Sequence, residues 1–140
     1  MKILIVDDSV RIRKLIITLL GGKQHPVCKE NVIEFFECED GSNALSHYKA
    51  ILPDWVLMDI SMKNMNGFDA ATQIKQEYPK ANIIIVTNYD EPRLRHKAKE
   101  IGIKHYVLKE NLPVLQNIIT AKKNRTILES KTKRVHHTPS

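Results

Sequence analysis

Five apolar runs of strand length recur along the chain, and segments with a helical pattern separate them. The runs are Ile3–Val6, Val32–Cys38, Asp54–Met58, Asn82–Val86 and Ile103–Leu108. Between and after them, apolar residues recur every three or four positions, which is the spacing of one face of an α-helix. Strands that alternate with helices pair in parallel, and the helices cover both faces of the sheet. The pattern therefore predicts an α/β domain on one five-stranded parallel sheet.

Each helical segment presents its apolar residues on one face. These faces comprise Ile12, Leu15, Ile16, Leu19 and Leu20; Ala44, Leu45 and Tyr48; Phe68, Ala71, Ile74 and Tyr78; Leu94, Ala98 and Ile101; and Leu112, Leu115, Ile118 and Ile119. Ser42 is predicted to cap the second helix, because a serine hydroxyl satisfies free N–H groups at a helix start. Pro92 and Gly102 are predicted to begin and end the fourth helix. The aperiodic segment from Lys23 to Asn31 is predicted to be a loop.

The character of each run predicts its place in the sheet. The first, third and fourth runs are apolar on both faces, as central strands of a parallel sheet are. The second run carries Glu34 and Glu37, and the fifth carries Lys104 and His105, so we expect these two outside. The predicted strand order is 2-1-3-4-5. In such a doubly wound sheet, ligands bind at the carboxyl ends of the strands that flank the switch point, here strands one and three.

Polar side chains follow four of the strands at that edge. Asp7 and Asp8 follow the first strand, Asp59 the third, Thr87 the fourth and Lys109 the fifth. Taken singly, each has an ordinary explanation, because acids stabilise helix starts and turns, and a threonine or lysine is common at a strand end. The position that all five share predicts one site.

The chemistry of these five groups favours phosphoryl transfer at a metal site. Crowded carboxylates repel one another, and a hard divalent cation with oxygen ligands, most suitably Mg²⁺, offsets that charge. Asp59 would act as the nucleophile toward phosphorus. Thr87 would donate its hydroxyl to one phosphate oxygen, and Lys109 would pair with another. The sequence therefore predicts that Asp59 accepts a phosphoryl group.

Charge is unevenly distributed along the chain. The net charge is +6, and residues from Ala121 onward contribute +5 of it. A basic tail can contact nucleic acid or acidic surfaces, but a solvated, disordered end is the more ordinary explanation. We therefore expect a nearly neutral domain over residues 1–121 and a basic tail or linker over residues 122–140.

Other features predict a cytoplasmic protein. No apolar run approaches the ~20 residues that cross a bilayer. Asp7 and Asp8 interrupt the first apolar run too early for a signal peptide. Cys28 and Cys38 form no disulfide framework and no CxxC site, so we expect reduced thiols.

The site residues resemble those of the receiver domain of two-component response regulators, over about Lys2 to Ala121. The motifs that carry the resemblance are the pair Asp7-Asp8, the segment Asp59-Ile60-Ser61-Met62 followed by Gly67, then Thr87, Tyr106 and Lys109. The stretch from Thr87 to Leu112 is most similar to receivers that carry a helix-turn-helix output domain. The resemblance implies a flavodoxin-like (CheY-like) three-layer sandwich.

The resemblance also implies a role for the acids. Asp59 would take the phosphoryl group from a phosphohistidine on a sensor histidine kinase or a histidine phosphotransfer protein. Asp8, Asp59 and the backbone carbonyl of Ser61 would bind Mg²⁺ directly, and Asp7 would act mostly through a bound water. Such a protein is a signalling phosphoacceptor and not an enzyme, since it catalyses only its own phosphotransfer and autodephosphorylation.

Output is expected from a surface coupled to a switch. Thr87 and Tyr106 would form the switch pair, in which Thr87 moves to the phosphate and Tyr106 turns inward. This movement should alter the face built from the fourth helix, fifth strand and fifth helix, where a partner or a second copy of the chain would bind. Tyr89 is expected to shield the acyl phosphate from water. Four basic residues are expected on or near the output face: Arg93, Arg95, Lys97 and Lys99.

Some positions depart from the family pattern. Lys63 stands where proline is usual, Asn88 where a small residue is usual, and Glu110 where proline is common. The loop from Gly21 to Asn31 is also longer than usual. None of these departures removes a chemical group from the site, so an active receiver is expected.

Several alternatives stay open. An aspartate-nucleophile phosphatase needs a second acid two residues after the nucleophile, where this chain has Ser61. A flavin or nucleotide module needs a glycine-rich phosphate loop, which the first strand lacks. A receiver fold can also serve as a phosphorylation-independent protein-binding module. Too few residues follow Ala121 for a DNA-binding domain of about 60 residues. We therefore expect no DNA binding by this chain, which either works alone or is a fragment of a longer DNA-binding regulator.

Overall fold

The predicted parallel sheet is present. The computed structural model describes residues 1–21 and 32–121, so the predicted loop at 23–31, the thiol of Cys28 and the tail at 122–140 lie outside the described residues. The five strands are β1 (Lys2–Val6), β2 (Glu34–Cys38), β3 (Trp55–Met58), β4 (Ile83–Thr87) and β5 (His105–Leu108). All neighbouring pairs are parallel, and the order is β2-β1-β3-β4-β5, which confirms the predicted topology.

Helices connect the strands in the predicted alternation. They are α1 (Val10–Gly21), α2 (Ala44–Ile51), α3 (Gly67–Glu77), α4 (Pro92–Ile101) and α5, described over residues 114–121. Short 3₁₀ turns at Gly41–Asn43 and Lys109–Asn111 precede α2 and α5. None of the helices in the described ranges combines the length and apolar character that a membrane crossing requires.

The core has two layers, one on each face of the sheet. Successive strand residues point to opposite faces, so Leu4 and Val6 of β1 join the layer beneath α2, α3 and α4. Ile3 and Ile5 join the layer beneath α1 and α5. All four side chains are fully buried. The central strands are therefore apolar on both faces because each face carries helices.

The start of α2 differs from the prediction. Ser42 does not cap the helix, because it lies within a 3₁₀ turn that precedes α2, and the N-cap position of α2 is Asn43, whose side chain makes no capping hydrogen bond. Asp40 caps that turn, and its carboxylate accepts from the backbone N–H of Ser42 at 2.9 Å. The limits of α4 agree with the prediction, since Pro92 opens it and Gly102 follows it in the left-handed conformation with φ of 95°.

The buried face of α1 also differs from the prediction. Leu15 is 47% exposed, whereas Arg13 is 8% exposed and lies on the same face as Ile16 and Leu20. Residues 13, 16 and 20 follow the three- and four-residue spacing of one helix face. Leu15 is offset from Arg13 by about 200° around the helix, so both cannot face the sheet.

The strand register brings the strand ends level. Val6 at the end of β1 pairs with Cys38 of β2 and Met58 of β3. Met58 pairs with Ile85, and Thr87 pairs with Leu108. The residues that follow β1, β3 and β5 therefore meet at one edge.

Candidate functional site

Three acids converge at the carboxyl edge of the sheet. Asp7 and Asp8 follow β1, and Asp59 follows β3, where its N–H donates to the carbonyl of Val6 at 2.9 Å. One carboxylate oxygen from each of the three lies within 4.8 Å of the others. Asp7 and Asp59 are buried, and Asp8 is exposed. The predicted convergence is confirmed.

Lys109 reaches this cluster from the far side of β4. It follows β5, and its Nζ lies 3.0 Å from Asp7 Oδ2 and 3.5 Å from Asp59 Oδ1. Its side chain is 10% exposed. One ammonium is therefore shared between two buried carboxylates, and a third carboxylate lies beside them.

Burial and the neighbouring charges change the pKa of Asp59. Burial first, and then the charge of Asp7, raise the pKa of Asp59 from its ordinary 3.8 to about 6, although Lys109 opposes the shift. The N–H of Ser61 also favours the ionised form, since it donates to Asp59 Oδ1 at 3.4 Å. Three carboxylate oxygens so close together are a donor set that suits a hard divalent cation.

The loop after Asp59 is held tightly against the site. The N–H of Gly67 donates to the carbonyl of Ile60 at 2.8 Å. A Cβ at Gly67 would collide with the carbonyl of Asp59, so only glycine fits there. Asn64 in the same loop donates to Asp40 at 2.5 Å, which ties the loop to the end of the β2 segment.

Thr87 is linked to Tyr106 through one backbone residue. Thr87 is fully buried at the end of β4, and its hydroxyl oxygen accepts from the N–H of Tyr89 at 3.2 Å. The carbonyl of Tyr89 accepts from the hydroxyl of Tyr106 at 2.6 Å. The guanidinium of Arg95 lies over the Tyr106 ring, 4.6 Å from its centroid, and pairs with Asp90 at 2.7 Å.

The basic residues of α4 divide between two sides. Arg95 contacts Tyr106 on β5, as expected for the output face, but Lys97 lies 5.2 Å from the ring centroid of Phe68 on α3. The expectation that Lys97 lies on the same face as Arg95 is wrong, because residues two positions apart in a helix are separated by about 200° around its axis.

Two residues near the acids were not predicted as site residues. Arg13 donates through Nη1 to the carbonyl of Asp7 at 2.6 Å, and Asp40 anchors the loop that follows Asp59. The inward position of Arg13 could have been predicted from the sequence, since Arg13 lies one turn before Ile16 on a helix face that is otherwise apolar. The role of Asp40 could not, because only the fold brings it beside Asn64.

A cavity of about 370 Å³ lies between the loop that follows Asp59 and the start of α4. Its lining includes Ser61, Tyr89, Arg93 and Leu94. A larger cleft of about 870 Å³ lies at the opposite, amino-terminal edge of the sheet, and none of the three acids lines it. None of the three acids lines the smaller cavity either, but Ile60 and Ser61, the two residues that follow Asp59, do line it.

The fold agrees with the comparisons to known proteins. The family model for the response regulator receiver domain matches residues 3–120, and the chain belongs to this family of two-component signalling proteins. It is 29% identical over 108 residues to the response regulator protein VraR of Staphylococcus epidermidis, an alignment that covers 77% of this chain and 49% of VraR. VraR of Staphylococcus aureus aligns with the same identity and coverage. The chain thus spans about half the length of the curated relatives it matches.

Solved structures have the same fold. A two-component response regulator of the LuxR family from Aurantimonas sp. SI85-9A1 superposes with a TM-score of 0.74 and 25% identity, covering 96% of this chain and 98% of that one. The chemotaxis protein CheY4 of Vibrio cholerae superposes with a TM-score of 0.72 and 24% identity, covering 86% of this chain and 96% of that one. The predicted CheY-like fold is confirmed.

Proposed function

We propose that this chain accepts a phosphoryl group on Asp59 from a phosphohistidine of a sensor histidine kinase or a histidine phosphotransfer protein. The observation that carries the proposal is that Asp7, Asp8 and Lys109 converge on the buried carboxylate of Asp59. The cavity beside Ser61 and Tyr89 leaves room for the incoming histidine side chain.

The cofactor of this reaction is Mg²⁺. Asp8, Asp59 and the backbone carbonyl of Ser61 bind it directly, and Asp7 acts mostly through a bound water. The fit rests on three carboxylate oxygens within 4.8 Å of one another and on the raised pKa of Asp59, which reflects burial first and then the charge of Asp7, with Lys109 opposing both. When bound, the ion neutralises charge that develops on the phosphoryl oxygens.

The side chains divide the remaining work. A carboxylate oxygen of Asp59 attacks phosphorus, the P–O bond forms, and the P–N bond to the donor histidine breaks with its electron pair going to the imidazole nitrogen. Lys109 binds one phosphoryl oxygen as a point charge, and the Thr87 hydroxyl donates to another. In a separate hydrolysis step, water attacks phosphorus, the P–O bond to Asp59 breaks with its electron pair going to the carboxylate, and inorganic phosphate is released. The chain is thus a phosphoacceptor that catalyses only its own phosphotransfer and autodephosphorylation.

Phosphorylation changes the output face through Thr87 and Tyr106. When Thr87 turns toward the phosphate, its contact with the N–H of Tyr89 changes, and the carbonyl of Tyr89 is the group that holds the Tyr106 hydroxyl. Tyr106 then turns inward. The altered surface of α4, β5 and α5 binds a partner or a second copy of the chain.

We further propose that the chain works in the cytoplasm, as a receiver over residues 1–121 with a basic tail or linker over residues 122–140. The second candidate is a receiver fragment of a longer DNA-binding regulator. Its support is the coverage of only 49% of VraR.

The test is phosphorylation by a small phosphodonor such as acetyl phosphate, followed by intact-protein mass spectrometry. We expect a phosphoryl mass gain that requires Mg²⁺ and is lost in Asp59→Asn. Asp54→Asn is the matched control, since Asp54 is an exposed acid just before the same strand. A gain that persists in Asp59→Asn, or no gain in the wild type, would contradict the proposal. A protein that binds its partner equally well without phosphate would instead be the phosphorylation-independent module.

A further inference from the structure

Arg13 is a buried cation in a helix face that is otherwise apolar. It is 8% exposed, in the first turn of α1. A buried guanidinium destabilises a fold unless partners offset its desolvation. Arg13 has two such partners, the carbonyl of Asp7 at 2.6 Å from Nη1 and Glu37 Oε1 at 3.0 Å from Nε. Its planar fork therefore joins α1, the end of β1 and the edge strand β2.

The carbonyl of Asp7 determines where Asp8 points. It belongs to the same planar peptide group as the N–H of Asp8. On its other side, the N–H of Asp7 donates to the carbonyl of Cys38 at 3.0 Å. The Asp8 carboxylate is exposed, and within the described ranges no hydrogen bond or ion pair holds it. Its direction therefore depends on the peptide group that Arg13 holds.

We propose that Arg13 is a positioning residue for the Mg²⁺ site, and that its fork orients the Asp7–Asp8 peptide so that the Asp8 carboxylate faces Asp59. This inference rests on the proposed function, because it concerns the metal of that reaction. It adds a residue that touches neither the ion nor the phosphoryl group. Groups that orient metal ligands from behind typically affect affinity by about 10- to 100-fold.

The direction in which Mg²⁺ affinity changes when Arg13 is replaced distinguishes a positioning role from an effect of its charge. A cation near three carboxylates repels Mg²⁺, so charge alone predicts that removing Arg13 tightens metal binding. Positioning predicts the reverse, because the Asp8 carboxylate then samples directions away from the site. The two explanations therefore give opposite changes in the same measurement.

The experiment is calorimetric titration of Mg²⁺ into the metal-free protein. We expect Arg13→Met to weaken binding by about 10-fold or more. We expect Arg13→Lys to be weakened as well, because an ammonium keeps the charge but lacks the fork. Arg11→Met is the matched control, since Arg11 is exposed on the same helix, and its affinity should equal or slightly exceed that of the wild type.

The outcomes are distinct. Arg13→Met with unchanged or tighter binding would overturn the inference, and so would full wild-type affinity in Arg13→Lys. Arg13→Lys also carries the test if Arg13→Met fails to fold. If the wild type itself binds no Mg²⁺, the metal of the proposed function is wrong. If the wild type binds Mg²⁺ and both Arg13 variants match it, only the role of Arg13 is wrong.

Discussion

At the scale of single residues, negative charge exceeds positive charge around Asp59. Lys109 offsets part of it, but its ammonium is shared between Asp7 and Asp59. Burial of the Asp59 carboxylate, and then the negative charge of Asp7, raise the pKa of Asp59 to about 6. The metal-free site is therefore electrostatically strained and gains from any added positive charge.

Asp59→Asn should stabilise the metal-free protein at neutral pH. Because the folded-state pKa of Asp59 lies above its ordinary 3.8, the folded wild type binds more protons than the unfolded chain between about pH 4 and 6. Its stability therefore falls as pH rises through that window. The asparagine variant escapes the loss and should gain up to about 3 kcal/mol at pH 7.5.

Thermal unfolding in EDTA between pH 4 and 8 measures this difference. The gain should shrink toward pH 4, because Asp59 is protonated there in the folded protein and about half protonated in the unfolded chain. Excess Mg²⁺ should reverse the ranking, since only the wild type keeps the full ligand set. A variant less stable than the metal-free wild type at pH 7.5 would contradict the prediction.

Tyr89 should slow hydrolysis of the phosphorylated site. Its side chain is 48% exposed and lines a cavity together with Ser61, two residues after Asp59. We expect Tyr89→Ala to speed dephosphorylation by roughly tenfold, equivalent to about 1.4 kcal/mol of barrier. Loss of the phosphorylated species after removal of the donor gives the rate. Tyr89→Phe keeps the ring and should behave like the wild type, whereas an unchanged or slower rate in Tyr89→Ala would rule out shielding.

At the scale of secondary-structure elements, α4 is coupled to the site through β5. Arg95 packs on the Tyr106 ring, and the Tyr106 hydroxyl holds the backbone between Thr87 and α4. Both contacts hold the half-buried Tyr106 ring in its present position. We therefore expect the helix face that carries Arg95 to affect the balance between the two proposed positions of Tyr106.

Arg95→Met should shift the switch toward the phosphorylated conformation. A cation–π contact at an exposed site contributes about 0.5 to 1 kcal/mol, so its loss should tighten binding of the phosphate mimic beryllofluoride about two- to fivefold. Titration with beryllofluoride in Mg²⁺ measures the change. Lys99→Met is the control, one turn further along α4. Equal or weaker binding by Arg95→Met would show that Arg95 does not restrain Tyr106.

At the scale of the whole molecule, the output face is the part that a partner must recognise. We expect phosphorylation to favour a dimer through α4, β5 and α5. Sedimentation velocity with and without beryllofluoride, over a wide range of protein concentration, should show a mass increase that Asp59→Asn lacks. Identical distributions in both states would exclude dimerisation as the output and favour a different partner.

The strand order and the placement of the acids and Lys109 at one sheet edge follow from the sequence. Apolar runs such as Ile83–Val86 are buried on both faces, and this pattern is local, so it can be identified without coordinates. The same holds for the acids and the lysine at the strand ends, because parallel strands place their carboxyl ends at one edge. The buried face of α1 was not predicted correctly in this way, since Arg13 is buried and Leu15, which was expected on the buried face, is exposed.

What the sequence determined by itself is therefore the class of fold and the acids and lysine at the ends of the strands, because hydrophobic periodicity and residue chemistry are properties of short segments. Only the tertiary structure decided which side of each helix faces inward and which distant groups meet. Asp40 and Asn64 are in contact although they lie far apart in the chain. Arg13 contacts the carbonyl of Asp7 because its side of α1 faces inward. Such contacts depend on the summed packing free energy of the whole domain, which no single segment encodes.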